Sequence, residues 1–291
     1  MRRIRTVAVL PTLFTLGNLV CGFFAIVVAS RIEAPVSAEP PTAAVVQVQG
    51  NMQVVKDVLV SDDPAVNAML CGWLIFLAMI FDALDGHVAR LARATSDFGG
   101  QLDSLCDLVT FGVAPAILLV KICPTFSYLH RESIWIIAAA FACCAALRLA
   151  RFNVETGEAD DHLNFSGLPT PAAAAAIAGL AIMFYTLRRE NSGLAYAEEM
   201  DLGIQRFLPF FALVVAVLMV SRVPYPHVVN QLFRGRKSFA HVVGLLFAFV
   251  AVMMIRGFAV PIICCAYVLV PPIRYLWLMA RERRAQRESF F

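Results

Sequence analysis

Long apolar runs separated by short polar segments dominate the 291-residue chain. Eight of these runs are long enough to cross roughly 30 Å of hydrocarbon as α-helices. They lie near residues 9–30, 66–88, 102–122, 134–152, 169–187, 207–222, 239–255 and 258–280. The pattern therefore predicts an all-α, polytopic membrane protein with about eight transmembrane helices.

The polar segments complete the predicted organisation. Residues 31–63 contain three prolines and are more polar than their flanks, which predicts a non-cytoplasmic loop insertion. Within this loop, a β-hairpin turning at Gly50 and Asn51 and a short surface helix are both compatible with the sequence. Residues 281–291 form a basic cytoplasmic tail. No internal repeat divides the chain, so we expect residues 1–291 to form a single membrane domain.

The composition agrees with a membrane protein. Hydrophobic residues make up 60% of the chain and charged residues only 15%, whereas soluble domains carry about a quarter charged residues. The net charge of +3 favours attraction to anionic lipid head groups. The sequence has no basic, aromatic-interleaved region typical of nucleic-acid-binding domains, so we expect no nucleic-acid partner.

Cysteine usage indicates no covalent cross-links. The eight cysteines lie within or at the edges of the predicted spans, without Cys-x-x-Cys or Cys/His ligand spacing. We therefore expect buried free thiols, no disulfide and no zinc site.

The Lys and Arg residues indicate the orientation of the chain, because cytoplasmic flanks carry an excess of them. With the N-terminus taken as cytoplasmic, eight of the 24 fall on the other side: Arg31, Lys56, Lys121, Arg131, Arg188, Arg189, Arg206 and Arg256. This two-to-one bias predicts both termini, and the connection at residues 82–107, on the cytoplasmic side of a cell (inner) membrane. A cleaved signal peptide is the rival interpretation of the N-terminus, disfavoured because its apolar stretch is long and carries Pro11 and Asn18.

Four aspartates interrupt the apolar pattern. Asp82 and Asp85 are three positions apart and Asp103 and Asp107 four apart, so each pair lies on one face of a helix. An ionised Asp at the bilayer centre costs at least ~2.5 kcal/mol on insertion scales, and four together also repel one another. A positive group must therefore lie among them.

These carboxylates favour a divalent metal ion. Oxygen ligands without His or Cys partners are typical of Mg²⁺, Mn²⁺ or Ca²⁺ rather than zinc. Phosphate chemistry is the usual use of such a site. The alternative is that the aspartates form helix-end ion pairs with arginines such as Arg90 and Arg93. At most three arginines face five acids, counting Asp97, so we favour the metal site.

The surrounding residues are suited to a large phosphorylated ligand. Gly86, Ala89 and Gly99 are small and let a ligand, or another helix, approach the backbone. Arg90 falls on the same helical stripe as Asp82 and Gly86, where its guanidinium fork can hold phosphate oxygens.

This spacing resembles the signature of the CDP-alcohol phosphotransferase family. The fixed positions of the signature are matched, in order, by Asp82, Asp85, Gly86, Ala89, Arg90, Gly99, Asp103 and Asp107. Further segments are similar to the membrane-integral, serine-specific branch of the family: residues 10–26, 96–116, 148–154 (RLARFNV), 167–174 (GLPTPAAA) and 218–226 (LMVSRVPYP). The similarity extends from the first span through the sixth, roughly two thirds of the chain.

The resemblance implies an activity: transfer of the phosphatidyl group of CDP-diacylglycerol to L-serine, giving phosphatidylserine and CMP. It implies a cytoplasm-facing cavity in the membrane, Mg²⁺ or Mn²⁺ as cofactor, contact with membrane lipid, and a homodimer. Asp82, Asp85 and Asp103 would ligate the metal, with Asp107 beside it as the base that accepts the serine proton.

The resemblance also implies where the substrates bind. Gly86, Ala89 and Gly99 would make room for the CMP moiety of CDP-diacylglycerol, and Arg90 would bind its diphosphate.

Other polar residues in the spans are candidates for substrate contact. Thr15 is assigned to the donor, and Asn18 and Gln101 to serine, although an interhelical hydrogen bond accounts for each equally well. Arg148 and Arg151, at i and i+3, are suited to the serine carboxylate, and positive-inside anchoring is their alternative.

Two rival functions remain at this stage. The first keeps the reaction but uses glycerol phosphate, inositol or choline as the acceptor. The second is a cation transporter with the carboxylates as an ion path. Transport is disfavoured because the acids cluster at one membrane face and no polar relay continues through the outer half of these spans.

Overall fold

A computed structural model describes residues 9–32, 63–91, 97–123, 131–155, 167–188, 196–225 and 258–288. Every regular element in these ranges is a helix, which confirms the all-α prediction. The elements are α1 Val9–Ser30, α2 Pro64–Leu91, α3 Asp97–Asp107, a π-helical turn Leu108–Val113, α4 Ala114–Ile122, α5 Arg131–Glu155, α6 Thr170–Arg188, α7 Ala197–Val220 and α8 Ala259–Glu288.

The described residues form seven helices long and apolar enough to cross a membrane, so the chain is a multi-pass membrane protein. One of the seven, Phe98–Ile122, is the continuous unit of α3, the π turn and α4. The predicted span at 239–255 lies outside the described residues, as does most of the predicted loop at 31–63. The total of eight spans therefore stays a prediction.

Two helices extend well beyond their predicted apolar runs. Helix α7 begins at Ala197, well before residue 207. Its polar first turns are held by Asp201, which accepts hydrogen bonds from Gln205 (2.8 Å) and from the Nε of Arg188 (3.0 Å). Helix α8 continues to Glu288, so most of the predicted basic tail prolongs the last helix.

Helix α6 is the centre of the bundle. In its membrane-spanning stretch, 72% of the residues are buried, against 6% in that of α8. Helix α6 packs on α2, α7 and α8. The small side chains of its alanine-rich sequence allow close approach of neighbouring backbones. A Cβ on Gly72 of α2 would lie 2.8 Å from the carbonyl oxygen of Ala178, and one on Gly179 would lie 3.1 Å from the Cα of Pro261.

Helix α1 packs along α2 and against the π turn. The buried Thr110 hydroxyl donates a hydrogen bond to the Asn18 carbonyl oxygen (3.2 Å). One turn along α1, a Cβ on Gly22 would lie 2.8 Å from the Cβ and 2.9 Å from the Cα of Thr110. Single π turns occur frequently at functional sites, and this one begins directly after Asp107.

The entry to α6 is fixed by the segment that follows α7, residues 221–225, which we call the strap. Gly167 has φ +95°, and its N–H donates to the Val223 carbonyl (2.9 Å), while Leu168 donates to the Leu218 carbonyl (3.0 Å). A Cβ on Gly167 would lie 2.6 Å from the Met219 carbonyl oxygen. Both the positive φ and this contact require glycine.

All eight cysteines lie in the described residues and are free. Cys21, Cys71, Cys106 and Cys123 are buried. The prediction of free thiols is therefore confirmed, but their predicted burial holds for only these four: Cys143 is exposed, and Cys144, Cys264 and Cys265 are half-buried.

The contact between α1 and the π turn predicts the effect of one added methyl group. Gly22→Ala is expected to destabilise the protein by about 1–3 kcal/mol, because the π-turn backbone must move to admit it. The measurement is the thermal unfolding midpoint of the detergent-purified protein. Gly203→Ala in α7, where no atom lies within 4 Å of the added Cβ, is the control and should unfold at or slightly above the parental temperature. Parental behaviour of Gly22→Ala would contradict the close packing.

Candidate active site

Helices α2 and α3 bring the four aspartates together. Asp82, Asp103 and Asp107 each offer an oxygen atom, and these atoms lie within 4.8 Å of one another. Asp85 joins the group through electrostatic interaction with Asp82 and Asp103. The site is therefore a compact cluster of carboxylates drawn from two helices.

The cluster fits a divalent cation. Asp85 and Asp107 are buried, 7% and 8% exposed, where mutual repulsion of carboxylates is poorly screened. The Oδ1 atom of Asp103 is also buried and has no hydrogen-bond partner among the described residues. Hard divalent cations take several carboxylate oxygens as ligands, so Asp82, Asp103 and Asp107 could hold one.

Two polar side chains of α1 contact the carboxylates. The Thr15 hydroxyl donates to Asp85, and the Asn18 Nδ2 donates to Asp107 Oδ1 (2.9 Å). Both side chains are buried, so these bonds fix the orientation of Asp85 and Asp107. Thr15 and Asn18 thus form interhelical hydrogen bonds, which was the alternative to substrate contact for both residues. The Asn18 Oδ1, which is buried and has no partner among the described residues, is left to accept from a ligand.

Open space lies beside the carboxylates. Gly86 is exposed, and a Cβ added there, or on Gly100, would have no neighbour within 4 Å. Gly99 is half-buried and Gln101 is exposed on the same helix, α3. Helix α2 carries the predicted positions Ala89 and Arg90 close to its end, but their side chains lie outside the described residues.

Helix α5 supplies a positive charge to the site. Arg148 interacts electrostatically with Asp107, and its Nη1 donates to the Thr170 hydroxyl at the start of α6 (2.9 Å). Arg151 lies one turn further along α5 and is half-buried. The structure therefore brings Arg148, from the predicted pair, to the aspartates.

Three polar residues of this region were not singled out from the sequence. Thr170 accepts the bond from Arg148, and the Ser104 hydroxyl donates to Asn153 Oδ1 (3.1 Å), which ties α3 to α5. Thr170 and Asn153 both fall in segments that resemble the family. The sequence signal for Thr170 was its position as the single hydroxyl residue at the start of an alanine-rich helix, after Gly167 and Pro169. The sequence does not reveal that its partner is Arg148.

Comparisons with known proteins agree with this geometry. Residues 8–220 match the family model described as CDP-alcohol phosphatidyltransferase. A CDP-diacylglycerol–serine O-phosphatidyltransferase of Helicobacter pylori (strain J99) is 34% identical over 218 residues, which cover 73% of this chain and 82% of the relative. One of the same name from Methanocaldococcus jannaschii is 34% identical over 203 residues, 70% of this chain and 83% of the relative.

An archaetidylserine synthase of Methanothermobacter thermautotrophicus is 36% identical over 173 residues, 59% of this chain and 63% of the relative. The match to the family model covers more than half of the chain and includes all four aspartates, Thr15, Asn18 and Arg148. The chain therefore belongs to the CDP-alcohol phosphatidyltransferase family.

Proposed function

We propose that the protein is a CDP-diacylglycerol–serine O-phosphatidyltransferase, which transfers the phosphatidyl group of CDP-diacylglycerol to L-serine and releases CMP. The observation that carries the proposal is the cluster of Asp82, Asp103 and Asp107 with Arg148 beside it. The names of the relatives support the choice of acceptor, because they differ in the lipid but share serine.

The donor is an anionic lipid whose acyl chains stay in the bilayer while its nucleotide enters the site. The open space next to Gly86 supports a position for the CMP moiety between α2 and α3. Ala89 and Gly99 would border the same space. Arg90 would hold the diphosphate through its guanidinium fork, and Thr15 would contribute through the Asp85 carboxylate that it orients.

In the reaction, the serine hydroxyl oxygen forms a bond to the phosphorus that carries the diacylglycerol. The bond from this phosphorus to the bridging oxygen breaks, and CMP leaves with the electron pair. The hydroxyl proton passes to Asp107, the general base. Asn18 holds one oxygen of that carboxylate (2.9 Å), which leaves the other oxygen to face the acceptor.

Asp82, Asp85 and Asp103 would hold Mg²⁺ or Mn²⁺, with the Asp107 carboxylate next to the cation. When bound, the cation would neutralise the diphosphate and the charge that develops on the leaving CMP. The unpartnered Asp103 oxygen supports this assignment. Thr15 and Asn18 would keep the carboxylates oriented for the cation.

The acceptor would lie between Asp107 and Arg148. Serine carries a carboxylate, and the Arg148 guanidinium near Asp107 supports its recognition by a charge-assisted hydrogen bond. Arg151, Asn18 and Gln101 complete the proposed serine site.

The remaining assignments extend the proposal to the cell. The protein would lie in the cell (inner) membrane with both termini and the site on the cytoplasmic side, as the distribution of Lys and Arg predicts. Residues 1–291 would form one membrane domain, and the family resemblance favours a homodimer.

The identity of the lipid product tests the function directly. Purified protein given CDP-diacylglycerol, Mg²⁺ or Mn²⁺ and one alcohol at a time is expected to form phosphatidylserine and CMP with L-serine, and no lipid product with inositol, choline or glycerol phosphate. Chelation of the cation, or Asp103→Asn, should abolish the product. Formation of a different phospholipid, or full activity in excess chelator, would contradict the proposal.

The role of Asp107 predicts a loss of turnover rather than of donor binding. Asp107→Asn keeps an oxygen to accept from Asn18 but removes the base, so kcat should fall by about 10²- to 10⁴-fold. The donor KM should change little. Glu199→Gln, which alters an exposed carboxylate near the start of α7, is the matched control. Equal losses in turnover and donor binding would make Asp107 a binding residue instead.

The acceptor assignment predicts an effect on the serine KM. Arg148→Lys keeps the positive charge but removes the planar fork, and the loss of one charge-assisted bond should raise the serine KM roughly tenfold to a hundredfold. Arg151→Lys tests the second arginine in the same assay. Arg206→Lys, at an exposed position of α7, is the control. If both Lys variants insert normally and keep the parental KM, the carboxylate assignment is wrong.

A further inference from the structure

Arg148 has a hydrogen-bond partner at the start of α6 and an electrostatic neighbour on α8. Its Nη1 donates to the hydroxyl of the fully buried Thr170 (2.9 Å). It also lies within electrostatic range of Tyr267 on α8. Tyr267 lies beyond residues 8–220, the part of the chain that matches the family model. The surroundings of Arg148 therefore include a residue that the family comparison does not assign.

The position of Thr170 depends on the strap. The backbone bonds from Gly167 to Val223 and from Leu168 to Leu218 fix the chain just before α6. Leu168 is fully buried, and α6 then starts at Thr170. The hydroxyl that accepts from Arg148 is thus placed by contacts with residues at the end of α7 and in the strap.

The position of Tyr267 depends on the same strap. Within a helix, the Val268 carbonyl would accept from the N–H of residue 272, but Pro272 has no N–H. The Tyr225 hydroxyl, at the end of the strap, donates to this carbonyl instead (2.9 Å). Its ring also packs on the Tyr267 ring, with 5.9 Å between centroids. Tyr225 therefore anchors α8 at the turn that carries Tyr267.

We propose that Thr170 and Tyr267, both placed by the strap, form a cradle that positions the Arg148 guanidinium for the acceptor's carboxylate and so selects acceptors that carry one. This inference rests on the proposed function. Thr170 and Tyr267 are positioning residues, since they act through Arg148 rather than on the reacting atoms.

The cradle would order Arg148 before the acceptor binds, which matters because an arginine side chain is long and flexible. A free side chain of this kind loses rotamer entropy worth up to about 2 kcal/mol when it is ordered. A guanidinium has five N–H donors, and the bond to Thr170 uses one of them, which leaves others for a carboxylate. Ordering Arg148 before the acceptor arrives therefore strengthens binding of a carboxylate-bearing alcohol over a neutral one.

The test separates the effect of the Thr170 hydroxyl from the effect of its side-chain volume. Thr170→Val removes the acceptor but keeps the volume, and is expected to raise the serine KM roughly two- to tenfold, with kcat and the donor KM unchanged. Thr170→Ser keeps the hydroxyl and should restore the parental serine KM. Tyr267→Phe should also raise the serine KM, whereas Tyr275→Phe, two turns further along α8, should not.

Ethanolamine, which is serine without its carboxylate, gives the second measurement. The preference for serine over ethanolamine should fall in Thr170→Val and Tyr267→Phe by the same factor as the serine KM rises. An unchanged preference would overturn the cradle, as would a Thr170→Ser variant that behaves like Thr170→Val. Equal changes in the donor KM would also overturn it, because they indicate a general disturbance of the fold.

The two proposals fail in different ways. A parental protein that forms no phosphatidylserine overturns the proposed function. The cradle is then decided on the acceptor that the parental protein does use. An acceptor without a carboxylate overturns the cradle; for one with a carboxylate, Thr170→Val should raise its KM while Thr170→Ser should not. If Thr170→Val unfolds at a lower temperature than the parent, Tyr267→Phe decides the matter, because it removes only one oxygen atom from a half-buried side chain.

Discussion

The concentration of negative charge between α2 and α3 is the constraint on which the rest of the structure depends. Three carboxylates with oxygens within 4.8 Å of one another repel strongly where water is scarce. The protein compensates locally: Thr15 and Asn18 donate to two of the aspartates, and Arg148 approaches Asp107. Each of these donors comes from a different helix than the carboxylate it serves. The charge cluster therefore requires accurate packing of α1 and α5 against α2 and α3.

Small residues make that packing possible. Gly22 admits Thr110 of the π turn against α1, and the same turn follows directly after Asp107. Gly72 lets α2 approach the α6 backbone. In a bilayer, close backbone contact is a main source of helix association, because lipid tails remove the hydrophobic drive that operates in water. Helix packing and the geometry of the aspartate site thus both depend on these glycines.

The sequence was informative where a local pattern carries the information. Apolar runs predicted the positions of the described spans, and the spacing of Asp82, Asp85, Asp103 and Asp107 placed each pair on one helical face. The start of α7 was missed, since its first turns are polar and depend on Asp201 contacts with Gln205 and Arg188. The hydrogen-bond partners of polar side chains could not be predicted either. Thr15 and Asn18 bond to aspartates 70 and 89 positions away, and no periodicity reports such pairings.

The strap shows how a proline that breaks a helical hydrogen bond can help to build a neighbouring site. Pro272 removes the N–H that the Val268 carbonyl would otherwise accept, and a carbonyl left without a donor in the membrane is costly. Tyr225 supplies the donor from outside α8, and the strap that carries it also bonds Gly167, just before Thr170. One short segment therefore satisfies the broken helix and sets two neighbours of Arg148. Since Arg148 in turn interacts electrostatically with Asp107, a chain of interactions leads from α8 through the strap, α6 and α5 to the carboxylate cluster.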